Sequence, residues 1–212
     1  MLIDIEHHLG AVERSVVSLE KDGAPARSVV LSRTYDTSIE DLWDAATNPE
    51  RLPRWFAAVE GDLRSGGHFQ VKGNAGGKIV QCDPPNTLSL TWEYGDEVSW
   101  VDVAFEAQGP SAARLTLTHT SKVTPFWEQY GPGATGVGWE LGLLGLPLHL
   151  ADHKADKIDE EAFAASDGGR AFSRGSSNAW GDAAIRNGEP EDQARAAAAR
   201  TAAFFTGESE SG

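Results

Sequence analysis

The run Gly138–Leu150 constrains this chain more than any other stretch. It reads Gly-Trp-Glu-Leu-Gly-Leu-Leu-Gly-Leu-Pro-Leu-His-Leu. Trp139, Leu143, Leu146 and Leu150 recur at i, i+4, i+7 and i+11 and so line one face of a helix. Leu141, Leu144 and Leu148 widen that face until most of the circumference is apolar. Such a helix must be enclosed by something large. It is too short to span a bilayer. The preceding Gly131-Pro132-Gly133-Ala134-Thr135-Gly136 matches the dinucleotide-binding fingerprint in its letters. The context is wrong, because no strand leads into it and no strand with an acidic residue follows the helix. Those glycines predict a flexible loop that leads into the helix and lets it pack closely on a sheet.

The chain before the run predicts that sheet. Ser15–Glu20 and Arg27–Tyr35 are β-type runs separated by Lys21-Asp22-Gly23-Ala24-Pro25, a hairpin turn. Thr37 stands three residues before Glu40, a capping-box spacing, and Ile39, Leu42, Trp43 and Ala46 form an apolar stripe to about Thr47. A short second helix is expected over Pro49–Trp55. Strands follow at roughly ten-residue intervals, over 68–73, 78–82, 87–94, 98–107 and 113–123, with Gly, Asn and Pro between them. Leu88, Leu90 and Trp92 alternate, as do Val101, Val103 and Phe105, and Leu115, Leu117 and His119. This is a meander with one wet and one buried face.

Beyond residue 150 the pattern is helical and charged. Asp152–Ala165 is expected to carry the helix into solvent, and Asp167-Gly168-Gly169 to break it. Ser176–Arg186 predicts a short helix, with Ser176 or Ser177 as its cap. Glu189-Pro190-Glu191-Asp192 is expected to start a last helix, with proline and acids in its first turn, that runs to Phe205 and docks through Ala196, Ala199, Ala203 and Phe204, before a frayed tail at 208–212. A short helix around Ile5, Leu9 and Val12 is expected at the start, with His7 and His8 in solvent.

Charge excludes some partners. With 18 Lys and Arg against 32 Asp and Glu the net charge is −14. No basic cluster offers a nucleic-acid or anionic-membrane surface. The lone Cys82 gives no disulfide framework and fits a reducing compartment. Residues 1–8 lack a basic n-region and a long apolar h-region, so they do not read as a signal peptide. The expectation is a cytoplasmic protein.

The order hairpin, helix pair, meander, long helix resembles the START-like (SRPBCC) superfamily of helix-grip folds, also called birch-pollen-allergen-like. Within it the chain resembles the branch named after the activator of the 90-kDa heat-shock chaperone ATPase. Arg33–Trp43 is similar to that family's first strand and helix, and Asn48–Phe56 to its helix pair. Asp62–Phe69 is similar to its glycine-led strand, Asp83-Pro84-Pro85 before Leu90-Thr91-Trp92 to its turn and following strand, and Gly138-Trp139 to the opening of its closing helix. The resemblance covers about Arg27 to Leu150. The extension resembles versions in actinobacterial members. It implies an α+β helix-grip domain over 1–150, a curved antiparallel sheet around a long helix, with a helical extension over 151–212 packed on the same domain. It also implies a cavity between sheet and helix that holds apolar or amphipathic small molecules. The chaperone role belongs to a eukaryotic protein with a second domain, and nothing here is similar to that domain.

Trp43, Trp55, Phe56, Phe69, Val71, Trp92, Phe105, Leu117, His119, Trp139, Leu143 and Leu146 are the residues expected to face such a cavity. Aromatic rings offer flat apolar area and, for Trp, an N–H handle. His119 is the one titratable group on the predicted inner face and so the one acid–base candidate. Asp102 and Glu106 fall on the outer face by alternation. His149, Asp152 and His153 share a helix face at metal-ligand spacing but lack further ligands, and read as a solvated helix end. Cys82 has no basic neighbour to activate it, and Ser173, Ser176 and Ser177 lack the nucleophile-elbow pattern. The first functional reading is therefore non-catalytic binding of a small hydrophobic or lipid-like molecule, with no cofactor and no metal. The second is a cyclase- or aromatase-like enzyme using the same cavity. The third is an interaction module that acts on a chaperone or pairs as a homodimer, with the last helix and Trp180 as contact surfaces.

Overall fold

The computed structural model describes residues 3–208. A short helix α1 (Ile5–Gly10) leads into the hairpin β1 (Glu13–Lys21) and β2 (Ala24–Tyr35). Helix α2 (Ile39–Thr47) and a single 3-10 turn, Leu52–Arg54, come next. The strands β3 (Val59–Gly61), β4 (His68–Val71), β5 (Gly76–Asp83), β6 (Thr87–Tyr94), β7 (Glu97–Ala107) and β8 (Ala113–Lys122) follow. The sheet order is β1-β2-β8-β7-β6-β5-β4-β3. Each pair from β3 to β8 is antiparallel. The helices α3 (Pro125–Tyr130), α4 (Gly133–Leu143), α5 (Gly145–Ala151), α6 (Glu160–Ala165), α7 (Asp167–Arg186) and α8 (Glu191–Thr206) complete the described chain. No helix among the described residues is long and apolar enough to cross a membrane.

The meander follows the alternation in the sequence, but several helical expectations are corrected. The run at 138–150 is two helices, and α4 starts at Gly133, inside the glycines read as a loop. Helix does not continue past Ala151, because Asp152 is extended and the chain turns before α6. Asp167-Gly168-Gly169 starts α7 and does not break a helix: Ser166 Oγ accepts from the Gly169 N–H at 3.0 Å, which caps it. Ser173, Ser176 and Ser177 are then buried inside a 20-residue helix and cap nothing. Ser38, not Thr37, caps α2 by accepting from the Asp41 N–H, while Thr37 Oγ1 donates to Asp41 Oδ2. The 3-10 turn replaces the helix expected over 49–55. α1 buries His8 and leaves His7 exposed. The short elements β3 and α3 are additions to the expected order, and α3 has a local start signal in Thr124-Pro125, with Thr124 capping it and Pro125 in its first turn. The expected tail at 209–212 lies outside the described residues.

The chain sorts into two compact units. The first takes the residues to Leu31, Lys122–Gly142, and those from Ile158 on. Within it Glu140 of α4 is buried, only 3% exposed. A lone carboxylate in an apolar helix must be paired to be buried. Arg14 of β1 pairs it twice, Nε to Oε1 and Nη2 to Oε2, each at 2.7 Å. The indole N–H of Trp180 donates to Oε1, also at 2.7 Å. Trp180 is fully buried, so it is a keystone of α7 and not the contact surface the sequence suggested. Gly136 makes room for it, since a Cβ there would lie 2.1 Å from Trp180 Cε2. α7 is tied to β1 by Arg186 Nη2 to the Arg14 carbonyl and Asn187 Nδ2 to Ser18 Oγ. α8 docks through Ala194, Ala197, Ala198 and Thr201. Ala196, Ala199 and Phe204 face solvent instead, one step around the helix from the docked face.

The second unit takes Ser32–Ser121 and Leu143–Lys157. It contains α2, the 3-10 turn, β3 to β7, most of β8, and α5. Gly145 brings α5 against the turn: a Cβ would lie 2.5 Å from the Trp55 carbonyl oxygen. The candidate site lies in this unit.

Candidate functional site

Strand register builds one apolar face. Leu88 lies opposite Val103 and Leu90 opposite Val101. Val101, Val103 and Phe105 lie opposite His119, Leu117 and Leu115. Phe69, Val71 and Ile79 form a buried cluster against which Phe56, Leu88, Leu90 and Trp92 pack. Trp92 links Phe69 to His119, with ring centroids 6.0 and 6.4 Å apart. Trp43 of α2 meets Phe105 edge-on at 5.1 Å. Trp55 stacks at a tilt on Phe56 at 5.6 Å, and its indole N–H donates to the Ala45 carbonyl at 2.9 Å. Leu146 is fully buried on α5 and Leu143 half-buried. The second unit thus holds every expected residue except Trp139, which belongs to the first and is half-buried.

The face is not uniformly buried. Val101 is 1% exposed, yet Leu88, Leu90, Trp92 and Val103 on the same face are only half-buried, as are Trp43 and Phe56 beside it.

His119 is the polar point on this face, 8% exposed. Its Nε2 lies 2.8 Å from Ser99 Oγ, and the Ser99 hydroxyl donates to the Trp92 carbonyl at 3.0 Å. A hydroxyl that donates there accepts from the ring, so the neutral imidazole carries its proton on Nε2. Burial pushes the His119 pKa down to about 4. The ring is therefore neutral at pH 7 and a weak base. Ser99 was not foreseen. It heads the odd-numbered row 99, 101, 103, 105, and that alternation was the signal for it. Asp102 and Glu106 are exposed. Half-buried Cys82 has its thiol pKa raised, first by burial and then by Asp83, which keeps it protonated.

His149 is not in a solvated helix end. It is 4% exposed and belongs to a cluster around Arg51. Arg51 Nε donates to His149 Nε2 at 3.2 Å, and Nη2 faces His153 Nδ1 at 3.2 Å. Nη1 donates to Asp41 Oδ1 at 2.7 Å and Asp44 Oδ2 at 2.9 Å. Among the described residues no group of three or more His, Cys, Asp or Glu is placed to hold a metal ion.

Residues 36–146 match the family model described as activator of Hsp90 ATPase homolog 1-like protein. No curated protein sequence matches the chain significantly. Among solved structures, CalU16 from Micromonospora echinospora is similar at 28% identity and TM-score 0.67, over 82% of this chain and 99% of that one. An HSP90 activator from Plasmodium falciparum is similar at 22% identity and TM-score 0.50, over 58% of this chain and 94% of that one. The Aha1 dimer from Colwellia psychrerythraea is similar at 17% identity and TM-score 0.50, over 60% of this chain and 98% of that one. At these identities the last two speak for the fold alone. The likenesses bear out the α+β helix-grip class expected from the sequence.

Proposed function

Because the chain belongs to the activator of Hsp90 ATPase homolog 1-like family, matched over more than half its length, we propose a ligand-binding role for the apolar face of its meander. The protein binds a small hydrophobic or lipid-like molecule without transforming it. One observation carries this reading: Leu88, Leu90 and Trp92 stay half-buried on the face where Val101 is fully buried. Each Å² of apolar surface left in water forgoes roughly 25 cal/mol, so a contiguous half-buried stretch on a strand in the middle of the sheet favours a further apolar cover. Contiguous half-buried apolar surface beside a few convergent polar groups is the usual make-up of a ligand site. The neutral His119–Ser99 pair is a fixed polar point amid these rings. The same pair argues against the cyclase reading, since a histidine with a pKa near 4 is a poor base at neutral pH.

Native mass spectrometry of the protein from its own host, followed by denaturing extraction, tests the proposal. The expected result is a co-purified apolar molecule that is lost from a Leu90→Glu variant which still folds. A clean apo mass, with a dimer or a captured protein in its place, would overturn it in favour of an interaction module.

A further inference from the structure

We propose that the Arg51 cluster is a proton-operated clamp, which holds the end of α5 on α2 and the 3-10 turn at neutral pH and releases it in acid.

A guanidinium only donates. His149 Nε2 and His153 Nδ1, which face Arg51 Nε and Nη2, therefore both accept. Each ring carries its proton on the nitrogen turned away from Arg51. A second proton on either ring turns an acceptor into a donor that faces another donor. It also places positive charge beside Arg51 and Arg54.

The surroundings of His149 set the direction. α2 contributes Asp41 and Asp44, both bound by Arg51. The turn contributes Arg51 and Arg54, and the segment after α5 contributes His153, whose ring lies 5.1 Å from that of His149. Burial first, then Arg51, His153 and Arg54, push the His149 pKa below the ordinary histidine value, with Asp41 pulling the other way. Burial alone would raise Asp41. Hydrogen bonds from Thr37 and Arg51 outweigh it and hold Asp41 below the ordinary carboxylate value. Asp41 thus stays ionised while His149 takes its proton. A histidine with a lowered folded pKa adds stability above its unfolded value of about 6.5 and loses it as the pH falls below that. The clamp is closed at pH 7 and opens in mild acid.

The neighbouring contacts say which part moves. Gly145 is packed on the Trp55 carbonyl and Leu146 is fully buried, and neither contact titrates. Beyond them, the cluster and two contacts of 3.5 Å from Arg54 Nη2 to the His153 and Ala155 carbonyls hold residues 148–157. Release therefore starts at the far end of α5.

Hydrogen exchange on the full chain at pH 7 and pH 5, expressed as protection factors, tests this. Residues 148–157 should lose about tenfold protection at pH 5 while α4 is unchanged. In the double variant His149→Gln, His153→Gln, an amide oxygen can still accept from Arg51 and cannot titrate, so the loss should vanish. Equal protection at both pH values in the unmodified chain, or the same loss in the variant, overturns the proposal. Nitrogen NMR of the unmodified chain is a second test that needs no variant. His149 should carry its proton on Nδ1 at pH 7, and a ring protonated on Nε2 at that pH overturns the clamp.

Discussion

Glu140 in the first unit and His149 in the second are both polar side chains buried on the helices that follow the meander. Their support differs. Glu140 has two bonds from Arg14 and one from Trp180, so each oxygen is engaged and the negative charge is matched. His149 has one bond from Arg51, and its Nδ1 is buried without a partner. A buried ion pair is most vulnerable to the loss of a partner, which strands the other charge. A buried neutral imidazole is most vulnerable to the gain of a proton. The two regions should therefore fail under different insults, one to truncation and the other to acid.

Glu140→Ala should separate the two regions most widely. It strands the Arg14 guanidinium and the Trp180 N–H, and should remove about 3–5 kcal/mol of stability in urea unfolding at pH 7. A loss below about 1 kcal/mol would sink the account of the first unit. Acid comes next. His119, with its pKa near 4, should withdraw about 3 kcal/mol between pH 6.5 and pH 4, because its neutral form is the one the fold accepts. His119→Gln should flatten that part of the pH–stability curve, and an unchanged curve would mean that His119 titrates normally. Gly136→Ala forces a Cβ into Trp180 and should remove about 2 kcal/mol. A Trp180→Leu background should recover much of that loss, since the clash partner is gone. The smallest effect is Arg51→Met, about 1 kcal/mol at pH 7, because Asp41 and Asp44 are partly solvated. At pH 5 the effect should shrink further, because acid will already have opened the clamp.

The strands were readable because period-two alternation is local. Leu88, Leu90 and Trp92 already define their face before any partner is known, and the register then pairs Leu90 with Val101. Most of the candidate apolar face followed from it. The polar half of the picture was not legible, because its partners are far apart in sequence. Arg14 and Glu140 are 126 residues apart, and Arg51 and His149 are 98 apart. A lone acid within an apolar helix was the available signal for Glu140, and it names no partner. The docked face of α8 is not legible in the sequence for another reason. Its run of alanines presents methyl groups all round, so only the neighbouring helices decide which are covered, and they cover Ala194, Ala197 and Ala198. The start of α7 is hidden in the sequence because Gly168 and Gly169 look like breakers. A Cβ on Gly169 would lie 1.9 Å from the Phe163 carbonyl oxygen, so that glycine is there for close approach at a capped start.

The burial of Trp180 has an optical consequence. The chain has seven tryptophans, and Trp180 is fully enclosed with its indole N–H on a carboxylate. Trp43, Trp55 and Trp92 belong to the other unit, on or beside the candidate face. Emission from Trp180 should be blue-edged, poorly quenched by iodide, and constant while a hydrophobic dye is titrated. It is a built-in reference signal against which the rings of the apolar face can be read. A Trp180→Phe variant would subtract that background, at the cost of one hydrogen bond to Glu140.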